Sequence, residues 1–177
     1  MKPPERIETE RLVLRKPRLD DAPDLFTAYA QDAEVTRYLT WQPHTSVEET
    51  YQFISQMLKY WEIGRAYPYA LTRKDSDTII GMIAVHPDGY RLGIGYVLAR
   101  VHWGKGYIPE AAQALIDWAF QQPSIYRVDA TTDVENIASQ RVLEKLGMQC
   151  EGILRRYMIH PNLSDVPRDS YIYAITK

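Results

Sequence analysis

Residues 98–112 read LARVHWGKGYIPEAA, with Gly104, Lys105 and Gly106 placed where an alternating segment gives way to a helical one. Strand, glycine loop, helix is an arrangement that binds anions. Glycine lets the main chain approach a ligand closely. Free N–H groups at the helix start point outward, and the helix dipole adds positive potential. Lys105 puts a charge inside the loop. A phosphate or pyrophosphate suits such a loop, although Gly-x-Gly alone is equally a tight turn needing positive φ. Two common phosphate motifs are absent: there is no G-x-x-x-x-G-K-[ST], and no G-x-G-x-x-G with an acid about 20 positions on.

Other reactive side chains are scattered. Asp133 and Glu135 flank a strand end, as a general-base pair or, preferably, as loop-capping carboxylates. The four histidines, His44, His86, His102 and His160, show no H-x-x-x-H pairing and no cysteine neighbour, so no metal is expected. His86 and His160 read as surface turn residues. The single cysteine, Cys150, excludes an intramolecular disulfide, zinc fingers and cysteine-ligated clusters. No G-x-S-x-G supports a serine hydrolase. Thirteen tyrosines and four tryptophans are an unusual concentration. Such rings bury apolar area and keep a polar edge. Tyr38 and Trp41 suit a pocket wall, whereas Trp61 falls on a helical stripe and reads as core.

The elements that must position these groups follow from periodicity. Residues 11–17 alternate as a strand. Asp20, Asp21 and Pro23 start a helix carrying Ala22, Leu25, Phe26 and Tyr29 on one face. Ser46 and Glu49 form a capping-box pair ahead of the stripe Val47, Tyr51, Ile54, Leu58 and Trp61, which Gly64 ends. After Pro68 the period changes from helical to alternating. Residues 69–73, 78–86 and 90–99 predict an antiparallel meander. A helix over 109–121, a strand over 126–132, a helix capped by Asn136 and ending at Gly147, and strands over 148–158 and 170–175 complete the order β-α-α-β-β-β-α-β-α-β-β. The class is mixed α/β.

With 177 residues the chain suits one domain, 1–177. Lysine and arginine number 21 against 23 acids, a net charge of −2, which argues against nucleic-acid binding through a basic field. No segment approaches the ~18 apolar residues of a membrane span. The start, MKPPERIETERL, carries no apolar leader. A cytoplasmic protein is expected.

Four blocks together resemble the GNAT N-acetyltransferase superfamily, in its RimJ/RimL-like ribosomal-protein acetyltransferase branch. They are TERLVLR with AQDAEVTRYL, LARVHWGKGYIPEAA, ENIASQRVLEKLGM, and RDSYIYA. The resemblance spans essentially the whole chain. It implies a mostly antiparallel sheet flanked by helices and splayed between the fourth and fifth strands, with acetyl-CoA as co-substrate and no metal. Main-chain amides of Trp103, Gly104, Lys105, Gly106 and Tyr107 would cradle the CoA pyrophosphate. Pantetheine would pair with the edge formed by Tyr96, Val97 and Leu98, and meet Asn136. Arg141 is implied as a phosphate contact. Ser139 is implied as the catalytic group for the leaving thiolate, with Tyr38 and Trp41 at the acceptor pocket. Three features depart from the wider superfamily: Val101 opens the loop where a Gln or Arg is common, Glu144 stands where many members place a tyrosine acid, and Gly93 stands where many carry a glutamate base. The implied activity is acetyl transfer from acetyl-CoA to a primary amine, a protein N-terminus or a small molecule, in a ternary complex. The protein would be a monomer or homodimer. A non-catalytic acyl-CoA binder is the alternative.

Overall fold

The computed structural model describes residues 2–177. Its centre is an eight-stranded sheet in the order β1-β2-β3-β4-β5-β6-β8-β7. The strands are β1 (Arg6–Glu8), β2 (Leu12–Arg15), β3 (Tyr67–Arg73), β4 (Ser76–Asp88), β5 (Arg91–Leu98), β6 (Arg127–Asp133), β7 (Gln149–Met158) and β8 (Arg168–Thr176). All neighbours are antiparallel except β5 and β6. The meander expected after Pro68 is β3-β4-β5. The seven strands expected are present, and β1 is an eighth. Its three residues are too short for a visible alternation, and pairing with β2 is what makes them a strand.

Helices cover both faces. On one lie α1 (Ala22–Leu25), a π-helical turn (Phe26–Ala30), α2 (Ala33–Thr36) and α3 (Val47–Ile63). Leu25, Tyr29, Ile54, Ala70, Ile79 and Met82 form the core beneath them. On the other face lie α4 (Tyr107–Gln121) and α5 (Ile137–Lys145). There Leu92, Ile94, Leu98, Ile108, Leu115, Val128 and Leu143 pack together. The helix expected from Asp20 onward is thus broken into a 3-10 turn, α1 and the π turn. Its buried residues, Ala22, Leu25, Tyr29 and Ala30, still lie at helical spacing.

Local signals account for the ends. Ser46 Oγ accepts the Glu49 N–H (3.4 Å), but the Glu49 carboxylate turns to Thr45, accepting its N–H (2.8 Å) and hydroxyl (2.9 Å), so the expected box is shifted by one residue. On α3 the buried positions are Thr50, Ile54 and Trp61, while Tyr51 of the expected stripe is exposed. Thr50 can be buried because His44 Nδ1 lies 2.8 Å from its hydroxyl. Trp61 is core, its indole N–H bonded to Pro68 O. Gly64 and Gly147 end their helices at φ of 70° and 74°, the left-handed conformation that only glycine adopts without strain.

Candidate active site

The site begins where two parallel strands part. β5 and β6 are in register only from Arg91 to Gly93, opposite Arg127 to Asp129. Beyond that they diverge. Ala99 N–H donates to Ile80 O (2.9 Å), which sets the parity of the β4–β5 ladder. In an antiparallel pair alternate residues exchange both bonds with the neighbour. The main chain of Val97 therefore faces β4, and its carbonyl stands where a Cβ on Gly81 would fall. Tyr96 and Leu98 present their main-chain groups to the gap. The Leu98 carbonyl is already engaged by the Trp103 indole N–H (2.7 Å). Of the expected trio, two residues supply the open edge and Val97 supplies only a side chain.

The glycine loop caps the gap. Gly104 and Gly106 adopt φ of 74° and 76°, and Gly106 is the N-cap of α4. Among the described residues the amides of Gly104, Lys105 and Gly106 have no hydrogen-bond acceptor, and no atom lies within 4 Å of a Cβ built on Gly104. Three uncommitted donors beside a helix start, with room above them, fit a pyrophosphate. Lys105 is exposed. The Tyr107 ring lies beneath the Arg11 guanidinium, 4.8 Å from its centroid.

Arg11 belongs to a strut that sequence reasoning missed. The Glu110 carboxylate, in the first turn of α4, accepts from Arg11 N (2.8 Å), Arg11 Nε (2.6 Å) and Thr9 Oγ1 (2.5 Å). Arg11 Nη1 also donates to Lys105 O (2.9 Å). Burial raises the Glu110 pKa, but the bonds from Thr9 and Arg11 outweigh it and hold it below the ordinary value. The N-terminal hairpin thus grips the loop from a hundred residues away. Both ends lie in quoted blocks, TERLVLR and GKGYIPEAA, but no local spacing links them.

Across the gap, Asn136 caps α5, its Oδ1 accepting the Ser139 N–H (3.2 Å). Ser139 Oγ lies 2.8 Å from Tyr96 Oη, so these two hydroxyls join the open edge of β5 to α5. Burial pushes the Tyr96 phenol up to about 12, and the bond to Ser139 moderates the rise. Arg141 is exposed on α5 and has no partner among the described residues.

Tyr38 lies at the same end of β6 as Asn136. Tyr38 Oη donates to Glu135 O (3.4 Å), one residue before Asn136. Trp41 stacks near His44 (4.9 Å) and Phe53 (5.5 Å). Asn162, from the β7–β8 loop, donates to Thr36 O and Trp41 O. His160 is not the surface residue expected: it is 6% exposed and edge-on to Tyr38. The loop folds back over β6, so a histidine beside a proline ends up inside. Asp133 and Glu135 do cap: Asp133 accepts the Glu135 N–H (2.9 Å) and binds Arg168 (2.7 and 3.2 Å), which also pairs with Glu135 (2.9 Å). Burial raises the Asp133 pKa; Arg168, the Glu135 amide and His160 outweigh it and hold the carboxyl below its ordinary value. Among the described residues no group of three or more His, Cys, Asp or Glu is placed to hold a metal, and no helix is long and apolar enough to cross a membrane.

Comparison with known proteins agrees with this geometry. The family model described as an acetyltransferase (GNAT) domain matches residues 11–149. The uncharacterized N-acetyltransferase p20 of Bacillus licheniformis is 38% identical over 86% of this chain and 87% of its own length. The [ribosomal protein uS5]-alanine N-acetyltransferase of Escherichia coli is 26% identical over 98% of this chain and 92% of its own. Among solved structures, a GNAT-family acetyltransferase from Bacillus anthracis superposes with a TM-score of 0.84 at 28% identity, covering 97% of this chain and 98% of that one. The microcin C7 self-immunity acetyltransferase MccE, solved with acetyl-CoA and AMP, superposes at 0.88 with 24% identity over 99% and 98%, a likeness of fold. The parted strands, the glycine loop and these matches together show that the chain belongs to the GNAT family of acetyltransferases.

Proposed function

We propose that this protein transfers an acetyl group from acetyl-CoA directly to the α-amino group of a peptide or small molecule, inside a ternary complex. The observation that carries the reading is the gap between β5 and β6, walled by the Tyr96–Leu98 edge on one side and by Asn136 and Ser139 on the other. A pantetheine arm there would add like a strand to that edge. The free amides of Gly104 to Gly106 would hold the pyrophosphate, with Lys105 and Arg141 as nearby cations.

Acetyl-CoA supplies a thioester. Its C–S bond breaks with the electron pair remaining on sulfur, as the amine nitrogen forms the new C–N bond and releases its surplus proton to solvent. The residues supply position and charge stabilisation. An outward N–H of the β5 edge is a donor for the developing oxyanion. Ser139 gives a hydrogen bond to the departing sulfur. Holding the two reactants in attack geometry contributes several kcal/mol by itself.

The choice of an α-amino acceptor has a chemical reason. Only a neutral amine attacks, and Gly93 provides no carboxylate base. An α-amino group, with a pKa of about 7.7–8.0, is substantially neutral near pH 7.5, whereas a lysine amine at about 10.4 is not. The ribosomal-protein alanine named as acceptor for the Escherichia coli relative supports the same class, since the amine of an alanine is its α-amino group, and the rings of Tyr38 and Trp41 suit the side chain beside such an amine. The test is CoA release measured with short peptides of varied first residue, against a panel of polyamines, amino sugars and lysine analogues. Turnover on peptides with free N-termini is expected. Exclusive turnover on lysine-like amines, or none with any amine, would overturn the reading.

A further inference from the structure

The bond between Tyr96 and Ser139 has a direction that matters to the leaving group. Their hydroxyl oxygens are 2.8 Å apart, and Tyr96 Oη also lies 3.3 Å from the Ser139 carbonyl. Two arrangements satisfy this geometry. In one, Ser139 donates to Tyr96 and Tyr96 donates to the Ser139 carbonyl, leaving no proton for a ligand. In the other, Tyr96 donates to Ser139 Oγ, which frees the serine proton to point into the gap. A serine hydroxyl has one proton and two acceptor sites. A phenol is the stronger acid of the two, so it is the better donor. Without a partner, a helical serine tends to turn its proton back to the carbonyl four residues earlier, here Glu135.

We propose that Tyr96 is a positioning residue that donates to Ser139 Oγ and so aims the serine proton at the sulfur of CoA, stabilising the thiolate through a two-hydroxyl chain. This rests on the reading of the β5–β6 gap as the pantetheine site. The position of Tyr96 supports it independently. Its main chain belongs to the open edge, and its ring is packed against the core of the α4–α5 face. The ring is therefore held, and only the hydroxyl bridges to α5. Neither residue loses its proton outright: Ser139 keeps its O–H bond while donating, and the thiolate is held as an anion. Charge-assisted hydrogen bonds of this kind are stronger than neutral ones.

The experiment needs no acceptor. CoA itself is bound to the protein and its thiol titrated by ultraviolet thiolate absorbance, in wild type, Tyr96→Phe, Ser139→Ala and the double variant. Desulfo-CoA, which lacks the sulfur, reports on the rest of the site. Each single variant is expected to raise the bound thiol pKa by about one unit, tenfold in thiolate preference. The double variant should raise it no further, because the chain is already broken. Affinity for desulfo-CoA should stay within about twofold of wild type, which a merely structural role for Tyr96 would not allow. A shift in Ser139→Ala with none in Tyr96→Phe, or shifts that add in the double variant, would overturn the proposal and leave the CoA site standing. A wild-type protein that binds neither CoA nor desulfo-CoA would overturn the site reading itself.

Discussion

Gly106 and Asn136 show how much single residues carry here. Gly106 sits at φ 76°, and a Cβ there would lie 3.5 Å from Arg11 Nη2. Gly106→Val therefore meets backbone strain at this φ, the Cβ itself sitting in ordinary contact with Arg11. CoA affinity should fall at least about tenfold in titration calorimetry, given the cost of a non-glycine residue in this conformation. An unchanged affinity in a folded variant would remove the loop from the phosphate site. Asn136 has two ends: Oδ1 caps Ser139 N, and the side-chain amide has no acceptor among the described residues. Asn136→Ala should lower stability by about 1 kcal/mol and also weaken acetyl-CoA binding. A lower melting temperature with normal binding would make it a cap only.

At the scale of elements, the glycine loop is not free-standing. The first turn of α4 is tied by Glu110 to Thr9 and Arg11, and Arg11 holds Lys105 O. Two effects of Glu110→Ala oppose each other. Removing a negative charge near the proposed phosphate site favours CoA, and releasing the loop disfavours it. The charge is already neutralised by Arg11 (2.6 Å), so the loss of position should win. CoA affinity is expected to drop at least about tenfold, on the order of the 1.5–3 kcal/mol carried by hydrogen bonds to charged groups, with the circular-dichroism helix signal retained. Equal or tighter binding would show that the loop is positioned by its own turn.

For the whole molecule, the Asp133 cluster joins β6, β8 and the β7–β8 loop. Its carboxylate side chain is fully buried against Arg168 and His160. Because its folded pKa lies below the ordinary value, the group binds fewer protons when folded. Its stabilisation is present above the unfolded pKa of about 3.9 and is lost as pH falls through the folded value. Asp133→Asn should destabilise by about 3 kcal/mol at pH 7, as expected for a broken buried pair. The gap between the wild-type and variant melting temperatures should narrow below about pH 4. A gap that stays constant across that range would mean Asp133 contributes through packing, not charge. The loop it anchors also carries Asn162 to the backbone of Trp41, so the variant should weaken acceptor binding at the same time.

Much of this was legible in the chain before folding. The alternation of residues 69–99, the glycine loop and the Asn136 cap are local patterns, set by side-chain period, by left-handed backbone and by short-range hydrogen bonds. Local chemistry determines such features, so the sheet, its meander and the place of the glycine loop could be named from sequence. What it could not determine depends on residues far apart in the chain. Strand β1 exists only because β2 is beside it. The pairing of Glu110 with Arg11, the burial of His160 under Tyr38, and the rotation of Val97 away from the gap come from register and loop closure. Tyr96 and Ser139 were each visible as candidates from the resemblance. Only the tertiary fold, by packing α5 across the mouth of the parted strands, brings their hydroxyls to 2.8 Å. A contact between positions 43 residues apart leaves no periodicity in the sequence, because its geometry is set by how the elements pack and not by the spacing within any one of them.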